Sequence, residues 1–239
     1  MRKTAVIVGV LFWISNLTAL VGSLIAGTIP NAADALTGMY PRSTQVVVGT
    51  LVAHLNDVAI IGYAVVLFTV LKPLNEALAL GYVAFKALEA TLLAVGGAML
   101  LSLIGLSQQF LQTGPSEPGY WEASATLALS QQFWAARLAA LAYLVATPIL
   151  NALLYRSQLV PRFISMWGFV ALVLLATGLA IGVGDPTRGF QPGQLLVIPI
   201  ILWELLFATW VMVRGFRPSG SAADPRVAQE VRPLVSAST

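Results

Sequence analysis

Residues 46 to 71 form an apolar run of 26 residues that nonetheless contains His54, Asn56 and Asp57. About 20 helical residues cross the roughly 30 Å hydrocarbon core of a bilayer, so this run is long enough to span it. An ionised carboxylate near the middle of a bilayer costs at least about 2.5 kcal/mol on the most lenient insertion scale. Asp57 must therefore face protein or water and have a partner. The stretch is no ordinary soluble helix, and the groups able to cover its polar side lie on other spans.

Composition agrees. The 239 residues are 58% hydrophobic and 10% charged, with a mean hydropathy of +0.83, whereas soluble domains average about 25% charged residues. A net charge of +3 and a pI near 9.4 come from basic residues scattered at the ends of apolar segments. They form no stripe, so nucleic acid is not an expected partner and the positive-inside rule accounts for them. The chain has no cysteine and one histidine. Disulfides, thiolate catalysis, iron–sulfur clusters and cysteine-ligated zinc are excluded, and multi-histidine zinc or di-haem schemes lack ligands. No cofactor and no metal are expected.

Taken in order, the chain contains six membrane-length runs. Residues 5–27 are the first. Arg2, Lys3 and the small-residue segment Ala33-Asp34-Ala35 resemble the ends of a signal peptide, but the run is too long for an apolar signal region and reads as a span. Asn16 within it reads as a helix-to-helix hydrogen bonder. Residues 28–45, with Pro30, Gly38 and Pro41, read as a loop outside the bilayer. The second span is 46–71. A tight turn, Lys72-Pro73-Leu74-Asn75-Glu76, leads to the third, 77–105, with Pro73 expected in the first turn of that helix.

Residues 106–131 contain Gly114-Pro115 and Pro118-Gly119 and no Lys or Arg, which reads as a long external connection. Tyr120, Trp121 and Trp134 suit the headgroup level there, as does a short interfacial helix. The remaining spans are 132–155, with Pro148 expected to kink it, 164–183 and 194–213. Gly168, Gly178 and Gly182 read as close-packing positions, since no strand precedes them as a dinucleotide loop requires. Residues 217–239, rich in Pro, Ser, Ala and Arg, read as a disordered cytoplasmic tail.

The expected fold is thus all-α, a polytopic bundle of six transmembrane helices in one domain over residues 1–216. Charge asymmetry orients it. With the N-terminus inside, the internal segments carry Arg2, Lys3, Lys72, Arg156, Arg162, Arg214 and Arg217, and the external ones only Arg42 and Arg188. That bias predicts cytoplasmic N- and C-termini.

Several segments resemble the DUF4386 family of bacterial integral membrane proteins. They are Leu71-Lys72-Pro73-Leu74-Asn75-Glu76-Ala77-Leu78-Ala79-Leu80-Gly81, Phe85-Lys86-Ala87-Leu88-Glu89, the stretch from Leu154-Tyr155-Arg156-Ser157 to Pro161-Arg162 followed by Trp167-Gly168, and Trp203-Glu204 with Gly215-Phe216. Lys86 stands where the family pattern usually has Arg, which keeps the charge and loses the planar fork of donors. The resemblance implies a multi-pass protein of the bacterial cytoplasmic (inner) membrane. As a family of unknown function it supplies no catalytic residues.

The polar residues inside the spans are the candidates for a site. At 1.5 Å of rise per residue, Asp57, Lys86, Glu89 and Glu204 lie about 14 to 20 Å from the internal surface, near the midplane, and His54 and Arg137 about 25 to 27 Å. His54 with Asp57, and Lys86 with Glu89, are spaced three apart and share a helix face. Asn56 adjoins the first pair. Asp57, Glu89 and Glu204 against Lys86 and Arg137 leave one carboxylate in excess, which invites a proton or a cation. Either i,i+3 pair could close locally, and Lys86 and Glu89 satisfy each other as a structural pair. Asp57 and Glu204, with no cation within one turn of their own helix, must find a partner across helices, protonate or contact water. His54 reads as an interhelical hydrogen bonder before a metal ligand, and Arg137 as a snorkelling side chain.

Soluble-enzyme motifs are missing: there is no His-Glu-x-x-His, phosphate loop or Gly-x-Ser-x-Gly. A triad on His54 and Asp57 would need Ser15 or Ser130 from another span. The preferred reading is a small-solute or proton-coupled carrier whose six spans enclose a polar cavity lined by Asp57, Lys86, Glu89 and Glu204. Its expected partners are the lipid bilayer and a small solute or proton. The alternative is a structural or sensory subunit held together by buried ion pairs, and the third an intramembrane lipid-modifying enzyme. An enzyme is the less expected class.

Overall fold

The computed structural model describes residues 2–29, 31–114, 118–181 and 192–217. The sixth-span residues at 194 and beyond fall within it, while the Asp185–Arg188 segment, Gly182 and the tail from residue 218 lie outside the described residues. The elements in order are α1 (Arg2–Ala26), α2 (Ala32–Gly38), α3 (Ser43–Leu71), α4 (Glu76–Thr113), α5 (Pro118–Ser157), α6 (Arg162–Ile181), a 3-10 turn (Pro192–Val197) and α7 (Ile198–Arg214). No strand occurs among the described residues. Six of the helical segments are long and apolar enough to cross a membrane, so the chain is a multi-pass membrane protein by length and composition.

Local chemistry sets several boundaries. Asn75 caps α4 by accepting from Leu78 N at 2.9 Å, with Glu76 in the first turn facing the helix dipole. Pro73 therefore sits in the preceding turn and not in the first turn of α4, because Asn75 supplies a better cap two residues later. Gln158, at φ 55°, ends α5 in the left-handed region, and Arg217 N donates to Leu159 O at 2.9 Å, tying the end of α7 to the α5–α6 turn.

The six long helices close into a ring in which α1 packs on α3, α3 on α4, α4 on α5, α5 on α6, α6 on α7 and α7 back on α1. Small residues decide how tightly each pair closes. A Cβ on Gly22 would lie 2.2 Å from Ala53 N, and one on Gly49 2.3 Å from Ala26 N, so the far half of α1 is in backbone contact with α3. Its first half meets α7, where a Cβ on Gly9 would lie 2.6 Å from Ala208 O. Phe12, Tyr63, Tyr82, Trp203 and Phe207 fill the ring, with Phe12 stacked on Tyr63 at 3.9 Å between centroids. The outward positions are equally apolar, Leu24, Val58 and Val173 among them, as a lipid-facing surface requires.

Two expected loops are corrected. Residues 28–45 contain α2, capped by Asn31, which accepts from Asp34 N at 2.9 Å. The connection expected at 106–131 is helical over 106–113 and 118–131, with 115–117 outside the described residues: α4 continues to Thr113 and α5 starts at Pro118. At 38 and 40 residues, these helices are about 57 and 60 Å long by their rise, far more than a bilayer core needs. The reason is a second small core, in which Ala32, Ala35, Leu36 and Met39 pack on Leu103, Trp121 and Ala125. Ser107 locks it by donating to Leu36 O at 2.7 Å and accepting from Tyr40 N at 3.0 Å. A helix can continue past its apolar run when it has its own apolar partner.

Candidate functional site

The ring places two polar groupings side by side. On α4, one helical turn brings Lys86 Nζ to 2.9 Å from Glu89 Oε2. Lys86 is 2% exposed, sealed by the ring of Tyr143 at 4.2 Å and that of Tyr63 at 5.5 Å, so the ammonium is held by one carboxylate and two aromatic faces. That ammonium is the partner of Glu89 Oε2.

Glu204 enters from α7. Tyr143 Oη donates to its Oε1 at 2.8 Å and Asn16 Nδ2 to its Oε2 at 3.1 Å. Both donors are neutral, and no ion pair holds Glu204 among the described residues. A cavity of about 440 Å³ joins Glu204 and Glu89, walled by Trp13, Asn16, Tyr63 and Tyr143 and reaching Asn56. A smaller one of about 230 Å³ lies on the α5, α6 and α7 side of the same two acids.

The second grouping belongs to α3. His54 Nδ1 lies 2.5 Å from Asp57 Oδ2, Asn56 Nδ2 donates to Asp57 Oδ1 at 3.3 Å, and Ser15 Oγ of α1 donates to Asn56 Oδ1 at 2.5 Å. The imidazole has room because α4 offers Gly97 opposite: a Cβ there would fall 1.7 Å from His54 Nε2. A cavity of about 310 Å³ adjoins this group, lined also by Thr50, Gln132, Gly96 and Gly97. The buried Thr50 Oγ1 on its wall has no hydrogen-bond partner.

The sequence candidates thus divide. Glu89 and Glu204 share one cavity, Asp57, His54 and Asn56 line another, Asn56 reaches both, and Lys86 is enclosed behind Tyr63 and Tyr143. Asp57 finds His54 on its own helix, the local pair its spacing allows, and reaches α1 only through Asn56. Glu204 does find its partners across helices. Arg137 donates to Leu179 O at 3.2 Å and lies over Phe133 at 4.7 Å, so it is held on the bundle and is not simply reaching for the surface. Ser15 is engaged by Asn56 and not by His54, which leaves no triad on it, and no group of three or more His, Cys, Asp or Glu residues is placed to hold a metal among the described residues.

Sequence reasoning missed Tyr63, Tyr143, Thr50 and Gln132, and it gave Asn16 only a generic role. A usable signal existed for the tyrosines. Tyr collects at membrane interfaces, so a Tyr within a span hints at an interior polar partner; Tyr143 finds one in Glu204, whereas the buried Tyr82 hydroxyl has none among the described residues.

A family model described as a domain of unknown function, DUF4386, matches residues 7–215. The chain belongs to that family. Comparison with curated proteins and with solved structures gave no match.

Proposed function

We propose, from a family membership that carries no activity of its own, that the chain is a proton-coupled carrier of a small solute in the bacterial inner membrane, with Glu204 as the coupling group. One observation supports this above others. Glu204 lies within a membrane-length helix on the wall of a cavity shared with Glu89, is held only by neutral donors, and the nearby ammonium of Lys86 is already matched by Glu89. A carboxylate in poorly solvated surroundings without a cation is costly unless a proton or a bound cation balances it. A residue that must exchange one for the other is what coupling requires.

The excess of Lys and Arg on the segments around the start of α1, the α3–α4 and α5–α6 turns and the end of α7 supports cytoplasmic termini. A reporter fused after Thr239 is expected in the cytoplasm, and an external reporter would overturn that orientation. For coupling, proteoliposomes holding a pH-sensitive dye are challenged in turn with small amines, carboxylates and polyols. At least one class moves the dye signal with the parent protein, and the signal is lost in Glu204→Gln at equal reconstitution. No response to any class, or equal responses from parent and variant, sinks the carrier.

The structural-subunit reading retains support at one place. Lys86 and Glu89 satisfy each other in a dry enclosure, so their part is to hold α4 in register against α3 and α5.

A further inference from the structure

The cavity between α1 and α7 has a shape and chemistry that narrow what can enter it. Its cause is the divided loyalty of α1. The start of that helix is drawn to α7 by Gly9, while its far half is drawn to α3 by Gly22 and Gly49. The 3-10 turn before α7 packs on α6, which holds the start of α7 on the other side. Beyond the Asn16–Glu204 hydrogen bond the cleft between the two helices is rimmed by Leu17, Leu20 and Ile201, all on the exposed, lipid-facing surface. The mouth therefore opens toward the acyl chains.

Inside lie two carboxylates and three aromatic rings, those of Trp13, Tyr63 and Tyr143. An anion is repelled by Glu204 and Glu89, and the apolar walls offer a polyol few donors. A cation is matched by the Glu204 carboxylate and by the aromatic walls. Lys86 already shows that the Tyr143 face accepts an ammonium, at 4.2 Å, and aromatic faces attract cations most strongly where water is excluded. Glu89, on the same wall, is already matched by Lys86 at 2.9 Å, so the open charge in the cavity is that of Glu204. The charged and titratable groups facing Glu204 are Tyr63 of α3, Lys86 and Glu89 of α4 and Tyr143 of α5, with neutral Asn16 from α1. The buried part of α6 contributes none.

We propose that this cleft binds an apolar organic monocation, an ammonium carrying a hydrocarbon body, which enters from the bilayer and pairs with Glu204. Binding stands independently of the carrier reading, and only the transport step after it rests on that reading. Binding is an ion pair between the ammonium and the Glu204 carboxylate, and no covalent bond changes. The cavity of about 440 Å³ accommodates a ring and a trimethylammonium group.

The test uses the full chain in detergent micelles with benzyltrimethylammonium as probe and neopentylbenzene as its uncharged isostere. Saturable calorimetric binding of the cation is expected, at least tenfold tighter than that of the isostere. Glu204→Gln should weaken binding at least tenfold, and Glu204→Asp should retain it in part. Leu17→Trp, which narrows the mouth and leaves both acids in place, should slow cation association severalfold, and it keeps the proposal testable if Glu204→Gln fails to fold. Equal binding of the isostere, or unchanged cation binding in folded Glu204→Gln, overturns the site. Cation binding without any dye response in proteoliposomes would sink the carrier and leave the site. Coupled transport of another solute class without cation binding would do the reverse.

Discussion

Two pairs with identical spacing, His54 with Asp57 on α3 and Lys86 with Glu89 on α4, occupy the same ring of helices and live in different surroundings. The first pair is closed at 2.5 Å with side chains 27% and 11% exposed, the second at 2.9 Å with 2% and 8%. Helical geometry accounts for what they share, since residues three apart lie on one face. The difference comes from what each meets across the interface. Lys86 is faced by the rings of Tyr63 and Tyr143, which exclude water. His54 is faced by the bare backbone at Gly97, which leaves a cavity beside it. The Lys86 ammonium, sealed behind those rings, has no partner to exchange for Glu89, and the more exposed pair has less to lose.

The contrast breaks most visibly at Lys86. Lys86→Met leaves the buried Glu89 charge uncompensated and should cost about 3–5 kcal/mol, seen as a large drop in the thermal unfolding midpoint in detergent. Lys86→Met with Glu89→Leu should recover most of it, and a double variant no better than the single would show that the pair is not a closed unit. Next in size, Gly97→Ala forces the imidazole of His54 aside and should cost about 1–3 kcal/mol, as overpacking does. The loss should shrink when His54 is also Ala, and an additive double variant would remove the steric cause.

His54→Ala alone should cost no more than about 1 kcal/mol, because a partly exposed hydrogen-bonded pair contributes little and Asn56 still donates to Asp57. A loss rivalling that at Lys86 would erase the difference between the two pairs. Smallest is Tyr143→Phe, about 0.6 kcal/mol by the average of interhelical hydrogen bonds in membranes. Its sharper readout is transport, because the variant leaves Glu204 with Asn16 as its remaining donor.

The legible part of the fold was the part that depends on composition along the chain. Each span was read from its run of apolar residues, and each i,i+3 pair from its register. The helical extensions at 106–113 and 118–131 were not legible, because the apolar positions that stabilise them, Leu106, Phe110, Trp121 and Ala125, need α2 as a partner. Asp57 illustrates the same limit in the site. Its need for company was plain from its place in the second span, but the choice of His54 over a cross-helix cation depends on Gly97 standing opposite.

By itself, the sequence determined that this chain crosses a membrane, how many of its helices are long enough to do so, and that charges inside those helices need partners. Those properties follow from the cost of placing peptide and charge in hydrocarbon, which is summed locally. Only the tertiary structure decided that α1 is shared between α3 and α7, that a cleft opens between α1 and α7, and that Glu204 faces Glu89 with neutral donors for company. Between helices that are apolar on every side, hydrophobicity sets no preferred neighbour. The contacts are chosen by the few glycines that permit close approach and the few polar groups that must meet.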